Sequence, residues 1–242
     1  MLRFPLFGIP VGVHVTFLFV ALLGATAYSG IDIAIWTAAA FVSILLHEMG
    51  HALTARTFGA QGIAVTLYGL GGVTTYSHSS TLSHGRSFLI SAAGSATGIL
   101  AGGAVLLVGR SGAFSGVSHE MEVFLNSFIF TALVWGVLNW VPIVPLDGGH
   151  MVQHLASMVN EDKAPLISQV ITWISVAIVV PIAIANGFTF AAIIVVVFAL
   201  SGLREYRATV ARREAARRPP EGPEPAPPAA PTPQQPPPEF PI

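Results

Sequence analysis

The chain of 242 residues is 53% hydrophobic and only 10% charged, with a mean hydropathy of +0.70, a balance that excludes an ordinary soluble domain and reads as a membrane protein. A formal net charge of −1 leaves no basic face able to neutralise a run of phosphates, which excludes nucleic acid as a partner. The absence of cysteine excludes a disulfide framework, a thiolate nucleophile and any Cys-ligated zinc or iron–sulfur site, so a metal would have to be held by His, Asp or Glu.

Taken in order, apolar runs of about 20 residues predict six transmembrane helices. They lie near residues 13–29, 33–57, 87–108, 123–143, 166–185 and 188–204. The amino-terminal MLRFPLFGIPVGVHVTFLF shows no small-residue cleavage site and leads into the first run, which predicts a retained helix. Between the second and third runs, residues 61–77 alternate apolar Ile63, Val65 and Leu67 with polar neighbours around Gly69, Gly71 and Gly72, the pattern of a β-hairpin at the membrane face. The segment near 109–121 is a short loop between the third and fourth runs. From Arg204 the composition turns basic and then proline-rich, which predicts a disordered cytosolic tail over 204–242 after a domain of 1–203, with a short basic helix at its start. The expected class is an all-α polytopic membrane protein with about six transmembrane helices and a small membrane-associated β-hairpin. Placing both termini in the cytosol puts Arg3, Arg56, Arg86, Lys163, Arg204, Arg207, Arg212, Arg213, Arg217 and Arg218 inside and leaves only Arg110 outside, as the positive-inside rule favours.

Acidic residues locate the chemistry. Ten of the twelve lie in loops, at span edges or in the tail; the other two are Glu48 and Asp147. An ionisable group inside a bilayer costs roughly 2.5–3.5 kcal/mol on insertion scales, so it is expected to serve a function. Glu48 falls within HEMGH, residues 47–51. On a helix His47 and His51 share one face, the spacing at which two imidazoles bind one metal, with Glu48 beside them to carry a proton. A catalytic zinc commonly takes three protein ligands and keeps a fourth position open. Asp147 is the remaining acid within the apolar body. It sits in LNWVPIVPLDGGHMVQHL, where Pro142 and Pro145 break the fourth helix and Gly148 and Gly149 let the backbone turn.

HEMGH in an early helix and NWVPIVPLDGG in a later one resemble the paired motifs of the site-2 protease family of intramembrane zinc metalloproteases. The similarity extends to IPVGVHVTF and to YGLGGVTTY, and so covers residues 1 to about 203. The resemblance implies that His47, His51 and Asp147 hold one Zn2+ per chain, that Glu48 is general base and acid, and that Asn139 orients the substrate or the oxyanion. It also implies cleavage within or near the transmembrane helices of membrane-anchored proteins, as in regulated intramembrane proteolysis, by an enzyme resident in the cell membrane. The hairpin, through Gly69, Gly71 and Gly72, would hold an unwound substrate as an added strand. Where the family often shows Ala-Gly-Pro, this chain has Ala93-Gly94-Ser95, a departure that bears on the local kink and leaves the metal site untouched. The tail is a candidate binding segment for a cytosolic protein.

Two rival classes stay open at this level. A second i, i+4 pair, His150 and His154, suggests a membrane di-iron hydroxylase or desaturase, although H-x-x-H-H boxes are missing. Alternatively, the ionisable cluster passes ions or protons in a transporter. His14, His78, His84 and His119 are read as packing or solvated residues rather than ligands. The small residues of SAAGSATGILAGG are read as a close helix contact.

Overall fold

Backbone polar groups in hydrocarbon must be paired within the spanning segment, so apolar runs of this length fold as helices. The computed structural model describes residues 1–69, 71–78 and 82–217. The chain opens with strands β1 (Leu2–Leu6) and β2 (Ile9–Val13), followed by a 3-10 turn (Val15–Leu18) that leads into the short α1 (Phe19–Gly24). Helix α2 (Ile31–Thr57) is followed by β3 (Gln61–Tyr68) and β4 (Gly71–Ser77). Then come α3 (His84–Arg110), α4 (His119–Asn139), α5 (Asp147–Val159), α6 (Ala164–Ala185) and α7 (Thr189–Arg217). Five of these, α2, α3, α4, α6 and α7, are long and apolar enough to cross a membrane. At 1.5 Å per residue the 27 residues of α2 reach about 40 Å.

The polytopic class expected from the sequence stands, with four corrections to its elements. The expected first span, 13–29, is a helix of only Val15–Gly24. Residues ahead of it form a β-hairpin instead, because Phe7 (φ 50°) and Gly8 (φ 76°) make the two-residue left-handed turn that joins antiparallel strands. The expected hairpin is therefore half of a four-stranded sheet, in the order β1-β2-β3-β4, with β2 and β3 parallel and the other pairs antiparallel. The fourth span ends at Asn139 rather than 143, just ahead of Pro142. The basic segment after Arg204 continues the last span, so that α7 runs unbroken to Arg217. The proline-rich stretch 218–242 and Arg218 lie outside the described residues.

Ile63, Val65 and Leu67 point into the core with Ile9 and Val11, which fixes the sheet against α2. β4 is an edge strand, and most of it is exposed. Helix α2 stops in a Schellman motif, in which Ala60 N–H donates to Ala55 O and Gly59 N–H to Arg56 O, with Gly59 at φ +87°. Helices α2, α3 and α4 pack closely through small residues. A Cβ at Gly50 would meet Ala93 O, and one at Gly136 would meet Ser95 O. The small-residue reading of 91–103 is thus realised in Gly94, Gly98 and Gly102, each of which faces a neighbouring element.

Contacts at the helix ends give the molecule a polarity. At one end His119 Nε2 lies 3.0 Å from Asp32 Oδ2, joining the starts of α4 and α2 near Arg110. At the other, Arg56 Nη1 donates to Phe7 O (2.8 Å), Met158 lies beside Gly85, and Arg213 Nη1 donates to Glu161 O and Asp162 O (3.2 Å each). Basic residues of the described chain, Arg110 apart, gather at this second end. Helix α7 also touches the stretch before Asp147, since a Cβ at Gly202 would overlap Val144 O.

Candidate metal centre

His47, Glu48 and His51 are all buried, 4%, 4% and 8% exposed, on the half of α2 nearest the sheet. Gly94 makes this possible for His51, whose ring occupies the space a Cβ would take. The His51 ring is oriented by α3. Its Nδ1 lies 2.7 Å from Ile90 O, and because a carbonyl only accepts, Nδ1 carries the proton and Nε2 presents a lone pair.

Asp147 arrives from the far side. After Asn139 the chain leaves α4, and Val144 N–H donates to Thr172 Oγ1 of α6 (3.1 Å) while Ser168 Oγ donates to Gly149 O (3.0 Å). The first satisfies irregular backbone ahead of α5, and the second ties the first turn of α5 to α6. Gly148 and Gly149 fit because a Cβ on either would strike the main chain of residues 140–144. Asp147 then begins α5 with Oδ2 3.1 Å from His47 Nε2 and 3.3 Å from His51 Nε2, while the two Nε2 atoms are 3.2 Å apart.

Three donor atoms thus form a nearly equilateral triangle. Tetrahedral zinc with bonds near 2.05 Å requires ligand atoms about 3.3 Å apart, which matches this triangle and leaves one apex free. Among the described residues this is the one group of three or more His, Asp or Glu side chains whose donor atoms come so close together. The donor set fits a zinc ion.

Glu48 stands beside the triangle. Its Oε2 accepts from Thr74 Oγ1 (2.7 Å), which also lies 3.1 Å from Glu48 O. Gly72 backs onto the same carboxylate, and a Cβ there would overlap it. The cleft in front, about 420 Å3, is lined by Glu48, His51, Asp147, Gly72 and Thr74, with His150 and His154 at its rim. His150 Nε2 is 3.8 Å from Glu205 Oε1 of α7. Partial burial, with His150 and His84 nearby, pushes the His154 imidazole down to about 4.

The remaining expected site residues lie elsewhere. Asn139 Nδ2 donates to Trp135 O in its own helix (3.0 Å), and the side chain borders a separate apolar cavity between α4, α6 and α7. Gly69 packs on Thr16 O and Gly71 on the Trp135 ring, both along an apolar cavity of about 660 Å3 between α1, α2 and α4. Only Gly72 of the three touches the centre. Two contacts to it were not foreseen from sequence. One is Thr74 on Glu48. The other is Ser95, whose Oγ donates to Asp147 Oδ2 (3.2 Å). A signal for Ser95 was present in the departure from Ala-Gly-Pro; none marked Thr74.

Comparison with known proteins follows the same line. Residues 115–182 match the model of peptidase family M50. A zinc metalloprotease of Methanocaldococcus jannaschii is 27% identical over 64% of this chain and 44% of its own length. A candidate zinc metalloprotease of Synechocystis is 28% identical over 57% of this chain and 37% of its own. The chain therefore spans less than half the length of these relatives. In fold it is similar to the site-2 protease from M. jannaschii, with a TM-score of 0.61 at 24% identity, covering 83% of this chain and 94% of that one. The matched segment is that of a metallopeptidase family, the relatives are zinc metalloproteases, and the fold is similar to that of a site-2 protease.

Proposed function

We propose that this protein is a zinc-dependent intramembrane endopeptidase that hydrolyses peptide bonds within or near the transmembrane helices of membrane-anchored proteins, the step at the centre of regulated intramembrane proteolysis. The observation that carries the reading is the His47–His51–Asp147 triangle with Glu48 beside it. His47, His51 and Asp147 would hold one zinc ion per chain, which supplies Lewis acidity toward a peptide carbonyl and a water. Glu48 takes the proton of that water and returns it to the departing amide nitrogen. Thr74 keeps Glu48 Oε2 facing the cleft while the proton moves.

A helical substrate hides its carbonyls, so cleavage requires local unwinding. The edge of β4, starting at Gly71 and Gly72, offers free main-chain groups next to Glu48, where an unwound segment pairs as a fifth strand. Gly72 keeps the strand close to the Glu48 carboxylate, while Gly69 and Gly71 line the neighbouring apolar cavity through which a substrate segment would extend. Asn139 orients the substrate from the neighbouring cavity after releasing Trp135 O. The collection of basic residues at the sheet end supports an orientation with that end, and both termini, in the cytosol of a cell-membrane protein. Residues 1–203 then form the protease unit, and 204–242 a cytosolic extension for a protein partner.

The test is purified protein in bilayer discs with a membrane-anchored substrate. Wild type should contain about one zinc and cleave. Glu48→Gln should keep the zinc and lose activity by at least 100-fold, since only the proton carrier is removed. Two irons per chain, or cleavage by Glu48→Gln at the wild-type rate, would overturn the proposal.

A further inference from the structure

Ser95 stands where the family resemblance leads one to expect proline, and its hydroxyl, like those of Ser127 and Ser168, reaches another element rather than its own helix. Thr37, Thr97, Thr131 and Ser175, all within spanning helices, donate back to the carbonyl four residues earlier, the ordinary resort of a hydroxyl with no other partner. Ser95 does not. It is fully buried, and its Oγ crosses from α3 to Asp147 Oδ2, the oxygen that also faces both imidazoles. Within about one and a half turns, α3 thus offers Ile90 O to His51, the open space of Gly94 to the same ring, and Ser95 Oγ to the carboxylate.

We infer that Ser95 is a positioning residue for the metal centre: its hydroxyl holds the Asp147 carboxylate in the ligand triangle and so sets the affinity for the ion. The inference rests on the zinc-site reading proposed above. Asp147 is the one ligand that does not come from α2, and the stretch before it is irregular; His47 and His51 keep their spacing by belonging to one helix, but the carboxylate has no such tether. A hydroxyl donor fixes its rotamer and supports its negative charge in a site with little water.

The experiment measures zinc affinity by chelator competition, and the visible spectrum of the cobalt-substituted protein, in wild type, Ser95→Ala and Ser95→Thr. Removing one oxygen from a site on a packed helix should leave the metal-free fold intact, which circular dichroism of the metal-free protein checks. Ser95→Ala should bind zinc 10- to 100-fold more weakly, the usual cost of losing a group that orients a ligand, and shift the cobalt bands. Ser95→Thr, which keeps the hydroxyl, should bind within a few-fold of wild type. Wild-type affinity in Ser95→Ala would overturn the inference while leaving the zinc site standing. Equal losses in the Ala and Thr variants would assign the effect to packing and also overturn it. A wild-type protein that binds no zinc would overturn the site reading itself, and this inference with it.

Discussion

Thr74 Oγ1 donates to Glu48 Oε2 across 2.7 Å, so the edge strand of the sheet and the acid of the HEMGH helix are joined by one hydrogen bond. A substrate that pairs with β4 would therefore engage the strand that also orients the proton carrier. Thr74→Val keeps the β-branched shape and removes the donor. A hydrogen bond to a charged group contributes about 1.5–3 kcal/mol, so turnover should fall by about tenfold or more. Zinc content should stay the same, because Thr74 touches no ligand. Turnover and metal analysis on one preparation check both halves; loss of zinc would show that the strand supports the centre rather than the acid.

Asp147 and the His150–His154 pair separate the metal readings. Asp147→Ala leaves two imidazoles and should lose zinc or hold it weakly. His150→Ala with His154→Ala should retain it with at most reduced activity, since these rings line the rim of the cleft. Metal content of the two variants, measured side by side, is decisive; the reverse pattern would favour a di-iron centre.

Acid should destabilise the protein partly through His154. Its imidazole is depressed to about 4 in the fold, against an ordinary value near 6.5. Above pH 6.5 the ring is neutral in both the folded and unfolded states. Between about 6.5 and 4 the unfolded chain takes up a proton that the folded chain refuses, so stability is lost as pH falls through this window. Melting temperatures of the metal-free protein at pH 7.5 and 5 should drop less in His154→Leu than in wild type. Equal drops would mean that His154 contributes nothing to acid sensitivity.

Orientation can be read with reporters. A fusion after Arg217 should report the cytosol, and one inserted within residues 112–116 should report the opposite side, since Arg110 lies at the far end from the sheet. Deleting residues 219–242 should leave the zinc in place. An external signal after Arg217 would overturn the proposed orientation.

Much of the candidate centre was legible because two of its three proposed ligands belong to a single helix. His47, Glu48 and His51 keep their relation whatever the helix packs against, and Asp147 stood out as an acid inside an apolar body. Ser95 and Thr74 were hidden for the opposite reason. Each reaches its partner across elements far apart in sequence, and a serine or threonine in a membrane helix or strand ordinarily satisfies itself locally. The amino-terminal strands were missed because Leu2–Val13 is as apolar as a span, and the turn at Phe7–Gly8 that breaks it has no Asn-Gly or Asp-Gly signature. Asn139 shows the limit of motif reading: its place in the chain matches the family pattern, while its amide is turned to Trp135 O.

Gly202, in the last helix, rests on Val144, just ahead of Asp147, and leaves no room for a side chain. Interpretation of genetic variants at this position would be misled by sequence distance. Gly202→Val lies in an apolar span remote from both motifs and would be scored as a harmless exchange in a lipid-facing segment. By wedging α7 off Val144 it should displace Asp147, and so produce the phenotype of a ligand mutant from a residue that touches no ligand.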